Sequence, residues 1–211
     1  MKYKIETQIE SYLNGNFPFA LLINGKWGSG KTYYLKNVLE KNLEEMSNGT
    51  LKSLCYISCN GVRTIDDLKV KIVLGKCKNK KICSKFIEPI SKGISNLMNK
   101  FTGGVVNISL KDIDPITDTD LLIIDDLERR DSRLSIEEIL GFISVSYTEL
   151  NNIKVIVVAD ETELLKALNE GESAEYKRKK EKTIYRTIDF NEDLTELFRS
   201  LIESKGDSEF Q

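Results

Sequence analysis

The chain has 211 residues, with 31 Lys+Arg against 33 Asp+Glu, no histidine and a formal net charge of −2. That length suits a single α/β domain with a well-filled core and is slightly short for a second one; the near-balance of charge excludes a global field drawing the protein to nucleic acid or an anionic membrane, so any such contact must be local. No apolar stretch is long enough to cross a bilayer, and the amino terminus Met1-Lys2-Tyr3-Lys4-Ile5-Glu6 has no signal-peptide core, so the expectation is a soluble, cytoplasmic protein.

In residues 1–16, Ile5, Ile9 and Leu13 recur at helical spacing, and Asn14-Gly15-Asn16 ends the run. An apolar strand over 19–23 leads into Gly25-Lys26-Trp27-Gly28-Ser29-Gly30-Lys31-Thr32, a complete G-x-x-x-x-G-K-T phosphate-binding loop, and a helix over 31–45 follows. The glycines let the backbone curl until successive N–H groups face a triphosphate, and the helix presents its positive end to the same anions. Lys31 is expected to supply a point charge to the β and γ phosphates and Thr32 a hydroxyl for the accompanying magnesium ion. The nucleotide-contacting set is thus expected to be Gly25, Lys26, Trp27, Gly28, Ser29, Gly30, Lys31, Thr32 and Tyr33, with Trp27 either touching nucleotide or packing against the neighbouring helix.

Asn48-Gly49 reads as a turn before a strand over 53–58, and Thr64 as the cap of a helix whose apolar face is Ile65, Leu68 and Ile72. The β-α-β-α order implies a parallel sheet. Residues 75–110 read as an insertion: a basic cluster of Lys76, Lys78, Lys80, Lys81 and Lys85, then an amphipathic helix through Phe86, Ile90, Ile94, Leu97, Met98 and Phe101, closed by Gly103-Gly104. Its lysines are either solvated or a docking face for nucleic acid, membrane or a partner. Cys55, Cys59, Cys77 and Cys83 lack the tight pair spacing of zinc modules, which leaves reduced thiols.

Leu121-Leu122-Ile123-Ile124-Asp125-Asp126 is an apolar run ending in two carboxylates, the form of a Walker B strand whose carboxyl end opens onto a ligand crevice. Asp125 is expected to hold magnesium and Asp126 to polarise the attacking water. Glu128, the other candidate base, is expected to pair with a nearby arginine. Arg129, Arg130 and Arg133 lie close enough for one to act as an arginine finger toward a neighbouring subunit, the alternatives being surface solvation or a salt bridge to Glu137 or Glu138; Arg178 and Arg186 are weaker candidates. Ser135 caps a helix reaching 150, and residues 153–158 form another buried strand, ending at Asp160, which joins the nucleotide site.

With these motifs placed, the chain resembles the KAP family of P-loop NTPases, within the additional-strand class that also contains the STAND and AAA+ proteins. Gly25-Lys26-Trp27-Gly28-Ser29-Gly30-Lys31-Thr32 is similar to the family's G-x-W-G-S-G-K-T, tryptophan included. Ile124-Asp125-Asp126-Leu127-Glu128-Arg129 resembles I-D-D-L-D-R, with Glu128 where Asp is usual, and Val157-Val158-Ala159-Asp160 resembles the following strand without its aromatic. Tyr176 and Glu181-Lys182-Thr183-Ile184 resemble the family's tyrosine and E-K-I segment before a last strand over 184–190. The likeness extends over about residues 17–202, although the transmembrane helices that many members insert between the two Walker motifs are missing. It implies a three-layer α/β fold with a mainly parallel central sheet and helices on both faces, in which a strand such as 153–158 separates the Walker B strand from the phosphate-loop strand. It implies one domain over 1–211, the ATPase core of a longer protein, and ATP hydrolysis used as a switch or assembly trigger. In bacterial relatives this often accompanies defence against phages or plasmids.

Three functional readings follow. The first is an ATP- and magnesium-dependent ATPase switch working through a homo-oligomer or an effector. The second is a phosphotransferase, against which stand the missing acceptor pocket and arginine-bearing lid and the suitability of Asp125-Asp126 for activating water. The third is a nucleic-acid-binding module that uses the lysine cluster.

Overall fold

The computed structural model describes residues 4–77 and 116–190. In chain order these form α1 (Lys4–Asn14), β1 (Ala20–Asn24), α2 (Lys31–Tyr34), a π-helical turn (Leu35–Leu39) leading directly into α3 (Glu40–Met46), β2 (Ser53–Ser58), α4 (Ile65–Cys77) and β3 (Asp120–Asp125). A 3-10 turn (Leu127–Arg129), α5 (Ile136–Ile143), a second π-helical turn (Ser144–Thr148), β4 (Lys154–Ala159), α6 (Glu161–Lys166), α7 (Glu170–Thr183) and β5 (Ile184–Asp189) complete them.

The strands make one sheet in the order β2-β3-β4-β1-β5, and every neighbouring pair is parallel. β4 therefore lies between the phosphate-loop strand β1 and the acidic strand β3, as the family resemblance implies. Side chains alternate across the strands and sort into two cores. Leu22, Cys55, Ile57, Leu122, Ile124, Val155 and Val157 face one cluster with Leu68 and Ile72 of α4, Ile139 and Leu140 of α5 and Tyr176 of α7. Leu21, Ile23, Leu54, Leu121, Ile123, Ile156 and Val158 face the other, with Ile5, Ile9 and Leu13 of α1 and Leu35, Leu39 and Leu43 of the helix after the phosphate loop. The result is the three-layer α/β arrangement with helices on both faces. Cys55 and Cys59 are free thiols buried in the first core, behaving as small hydrophobes. No helix among the described residues is long and apolar enough to cross a membrane.

The segment expected to open an insertion at residue 75 begins differently. α4 runs on through Gly75 and Lys76 to Cys77, because Gly75 is a point of close packing rather than a stop: a Cβ there would meet Ile57 Cγ2 at 2.9 Å. Lys76 is likewise removed from the basic cluster. It is buried, with 6% of its side chain exposed, and its ammonium pairs with the Asp120 carboxylate, itself 1% exposed, while also donating to Ser53 Oγ at 2.8 Å. Its partner lies 44 residues away in sequence, so its neighbouring lysines say nothing about it. Lys78, Lys80, Lys81 and Lys85, the amphipathic helix that follows them, and the end of the likeness near residue 202 lie outside the described residues.

Candidate functional site

In a parallel sheet all strands deliver their carboxyl ends to one edge, and here the loops after β1, β3 and β4 meet there. The loop after β1 is anchored from both sides: Gly25 N donates to Ala159 O at 3.0 Å, and Phe190 N to Asn24 O at 2.6 Å. Gly25 has no room for a side chain, since a Cβ would approach both Phe190 Cβ and the Lys31 chain, at 3.1 and 3.2 Å. Gly30 enters α2 with φ 90°, in the left-handed region that a residue with a Cβ adopts only under strain.

Lys31 is buried, and its ammonium folds back onto the carbonyls of Gly25 and Lys26, the latter at 2.9 Å. Thr32 Oγ1 donates to Asp125 Oδ2 at 2.9 Å across the full width of β4, joining residues 93 apart in the chain. The same oxygen accepts Tyr56 OH at 2.5 Å, and Asp126 N donates to Asp125 Oδ1 at 2.7 Å. Asp126 has left the strand, with φ 59° and ψ 41°. Its carboxylate accepts from Ser58 Oγ at 2.6 Å and lies 3.8 Å from the Arg129 guanidinium. Tyr56 and Ser58 alternate along β2, whose register sets Ser58 opposite Asp125. Neither stands out in the sequence, where 53–58 reads Ser-Leu-Cys-Tyr-Ile-Ser without alternation; their place follows from strand pairing.

Glu128 sits on the 3-10 turn, and its carboxylate accepts from Asp160 N at 3.2 Å rather than taking the arginine expected for it. Burial pushes this carboxyl above its ordinary value, with the Asp126 charge adding to the rise against the backbone N–H groups of Glu128 and Asp160 that lower it. Asp160 caps α6, accepting from Thr162 N and Glu163 N, and reaches the phosphate loop by accepting Trp27 N at 3.1 Å. Burial, and then the charge of Asp125, keep the Tyr56 phenol well above its usual range and so a hydrogen-bond donor.

These groups enclose a cavity of about 410 Å³ lined by Trp27 to Tyr33 of the loop, by Tyr56, and by Asp125, Asp126, Glu128 and Arg129. Trp27 does not pack against the neighbouring helix: it is 82% exposed at the cavity mouth. Arg130 donates to Leu134 O at 2.8 Å and Arg133 to Asp131 at 2.8 and 2.9 Å, so neither takes the Glu137 or Glu138 pairing; Glu138 instead completes the capping box of Ser135. Arg178 and Arg186 are exposed and not among the cavity lining, which leaves Arg129 as the arginine that lines the cavity among the described residues.

A polyphosphate and a hard cation fit this arrangement. Ser29 Oγ lines the cavity and is buried with no hydrogen-bond partner among the described residues, an orphan that an anion's oxygen would satisfy. Among the described residues the Lys31 ammonium bonds to loop carbonyls alone, which it can leave for a phosphate. Thr32 and Asp125 supply oxygen donors from two sides, the ligand type that magnesium selects.

Comparison with known proteins agrees with the motifs. Residues 5–107 match the KAP family P-loop domain. Over 147 residues the chain is 31% identical to the ORC1-type DNA replication protein 2 of Haloarcula marismortui, covering 67% of this chain and 35% of that protein. The chain therefore spans about a third of the length of this curated relative. Among solved structures, it is similar to the Aeropyrum pernix ORC1 protein in complex with DNA, at 13% identity and TM-score 0.46, over 97% of this chain and 48% of that one. Cdc6p from Pyrobaculum aerophilum is similar at 12% identity and TM-score 0.43, over 88% of this chain and 43% of that one.

Proposed function

Starting from a chain that carries a KAP family P-loop domain over residues 5–107, we propose that it binds and hydrolyses ATP and works as a nucleotide-dependent switch or assembly module for an oligomer or effector. The observation that carries this reading is the bond between Thr32 and Asp125 at 2.9 Å, which puts the phosphate loop and the acidic strand into one cavity.

In this reading Lys31 turns from the Gly25 and Lys26 carbonyls to the β and γ phosphates, where it offsets their charge. Thr32 and Asp125 hold magnesium, which when bound neutralises charge on the phosphate oxygens. Water attacks the γ-phosphorus in line with the leaving oxygen of ADP, Asp126 takes its proton, and ADP and inorganic phosphate leave. Glu128 is the competing base, since it lines the same cavity and its carboxyl is held by backbone N–H groups. Arg129 lies on the rim, where it can steady developing charge. Asp160 connects Glu128 to the loop, through its own N–H to the acid and its carboxylate to Trp27 N.

The test is turnover and molecular size measured together across protein concentration. Hydrolysis below about 1 s⁻¹ for the monomer is expected, because Arg129 is already engaged with Asp126. Absence of both ATP binding and hydrolysis at every concentration would overturn the proposal.

A second reading, a nucleic-acid-binding ATPase, is favoured by the relative named as a DNA replication protein. The burial of Lys76 in its ion pair weakens the basic patch on which it relied. Salt-dependent binding of DNA to the chain, with a slope set by the number of phosphates neutralised, would support it. Defence against phages is the cellular setting that the family resemblance offers for the first reading, and protection of cells lost on Lys31→Ala would test it.

A further inference from the structure

Building on the reading of this cavity as an ATP and magnesium site, we infer that Tyr56 is a positioning residue for the cation, acting through its hydrogen bond to Asp125. The carboxyl torsion of an aspartate is broad and roughly two-fold, so a strand-end carboxylate has no intrinsic reason to present one oxygen to Thr32. Here three donors fix it: Tyr56 OH and Thr32 Oγ1 share Oδ2, at 2.5 and 2.9 Å, and Asp126 N takes Oδ1 at 2.7 Å.

The position of Tyr56 follows from the sheet. Its Cα partner on β3 is Ile123, two residues before Asp125, so the ring has to reach along the strand toward the carboxyl edge to place its hydroxyl on the acid. The ring is steadied by the Lys36 ammonium, 3.9 Å from its centroid, on the π-helical turn of the phosphate-loop helix. The same tyrosine therefore touches the helix that carries Thr32 and the acid that faces Thr32. For a cation that draws on the oxygens of Thr32 and Asp125, the hydrogen bond from Tyr56 holds the carboxylate in the orientation that cation meets. Partners of this kind, one bond removed from a metal ligand, typically contribute 10–100-fold to metal affinity.

The experiment titrates a fluorescent ATP analogue into the full chain with and without magnesium. Tyr56→Phe keeps the ring and removes only the hydroxyl. Its metal-free nucleotide affinity is expected to match the parent, while the magnesium concentration for half-maximal enhancement of binding rises about tenfold. Lys36→Ala, which frees the ring without removing the hydroxyl, is expected to shift the magnesium response in the same direction by less. In an Asp125→Asn background, exchanging Tyr56 for Phe is expected to change nothing further. An unchanged magnesium response in Tyr56→Phe, an equal loss of metal-free nucleotide affinity, or a shift that persists in Asp125→Asn would each overturn the inference and leave the nucleotide reading standing. A parent chain that binds nucleotide without regard to magnesium would overturn both.

Discussion

Ser58 and Asp126 are joined by a 2.6 Å hydrogen bond, the serine hydroxyl donating to Asp126 Oδ2, although 68 residues separate them. The carboxylate proposed as general base is thus engaged by a neutral donor from β2 and lies within 3.8 Å of the Arg129 guanidinium. Glu128 is held differently, by the backbone N–H groups of Glu128 and Asp160, so the two acids are separable by substitution. Asp126→Asn should keep ATP and magnesium bound while single-turnover hydrolysis slows by about 10²-fold or more, the size of a general-base effect. Asp125→Asn should weaken metal-dependent binding as well. If Glu128→Gln traps ATP while Asp126→Asn turns over normally, the base is Glu128.

Lys31→Ala should abolish productive ATP binding. The variant leaves the phosphates facing backbone dipoles alone, and it also removes the donor to the Gly25 and Lys26 carbonyls. Calorimetric titration with ATP and magnesium checks this; unchanged affinity would remove the loop from the site.

Trp27 is the single tryptophan of the chain and stands 82% exposed at the cavity mouth. Its intrinsic fluorescence should change in intensity and wavelength as nucleotide fills the cavity, reporting binding without a label. Trp27→Ala should alter folding stability by less than about 0.5 kcal/mol, as expected of a surface side chain. A larger loss in urea denaturation would show that the ring is packed.

At the opposite edge of the sheet, Lys76→Met should destabilise the fold by about 3–5 kcal/mol, because it leaves the Asp120 carboxylate buried without its cation. Removing both charges, as Lys76→Met with Asp120→Leu, should recover much of that loss. ATP affinity should be unaffected in either variant. Burial acts to raise the Asp120 carboxyl, but the bonds from Lys76, Ser53 and Thr117 outweigh it and hold it below its ordinary value. A lowered folded-state pKa contributes stability that is complete above the unfolded value of about 3.9 and is lost as pH falls through the folded one. The stability difference between the parent and Asp120→Asn should therefore narrow as pH falls below about 3.9, as urea midpoints across pH would show.

The phosphate loop and the acidic strand are legible in sequence because each is a local pattern whose chemistry depends on neighbours along the chain. The alternation that separates Leu21 and Ile23 from Ala20 and Leu22 is equally local, so the layers could be anticipated. What escaped are relations set by strand register. Tyr56 and Ser58 reach the two carboxylates only because β2 pairs with β3 with Ser58 opposite Asp125. Lys76 sits among lysines in sequence but faces Asp120 in space. For Arg133, Glu137 and Glu138 one turn ahead are candidate partners by spacing, yet Asp131, two residues back, meets it at 2.8 Å.

The two oxygens of Asp120 have separate clients. One receives the Lys76 ammonium at the end of α4, and the other receives both the backbone N–H and the hydroxyl of Thr117, at 2.8 and 2.9 Å, just ahead of β3. The end of α4 and the approach to β3 are thus tied at one carboxylate. A substitution at Asp120 therefore loosens both stems at once, while the cavity lined by the phosphate loop lies at the other edge of the sheet.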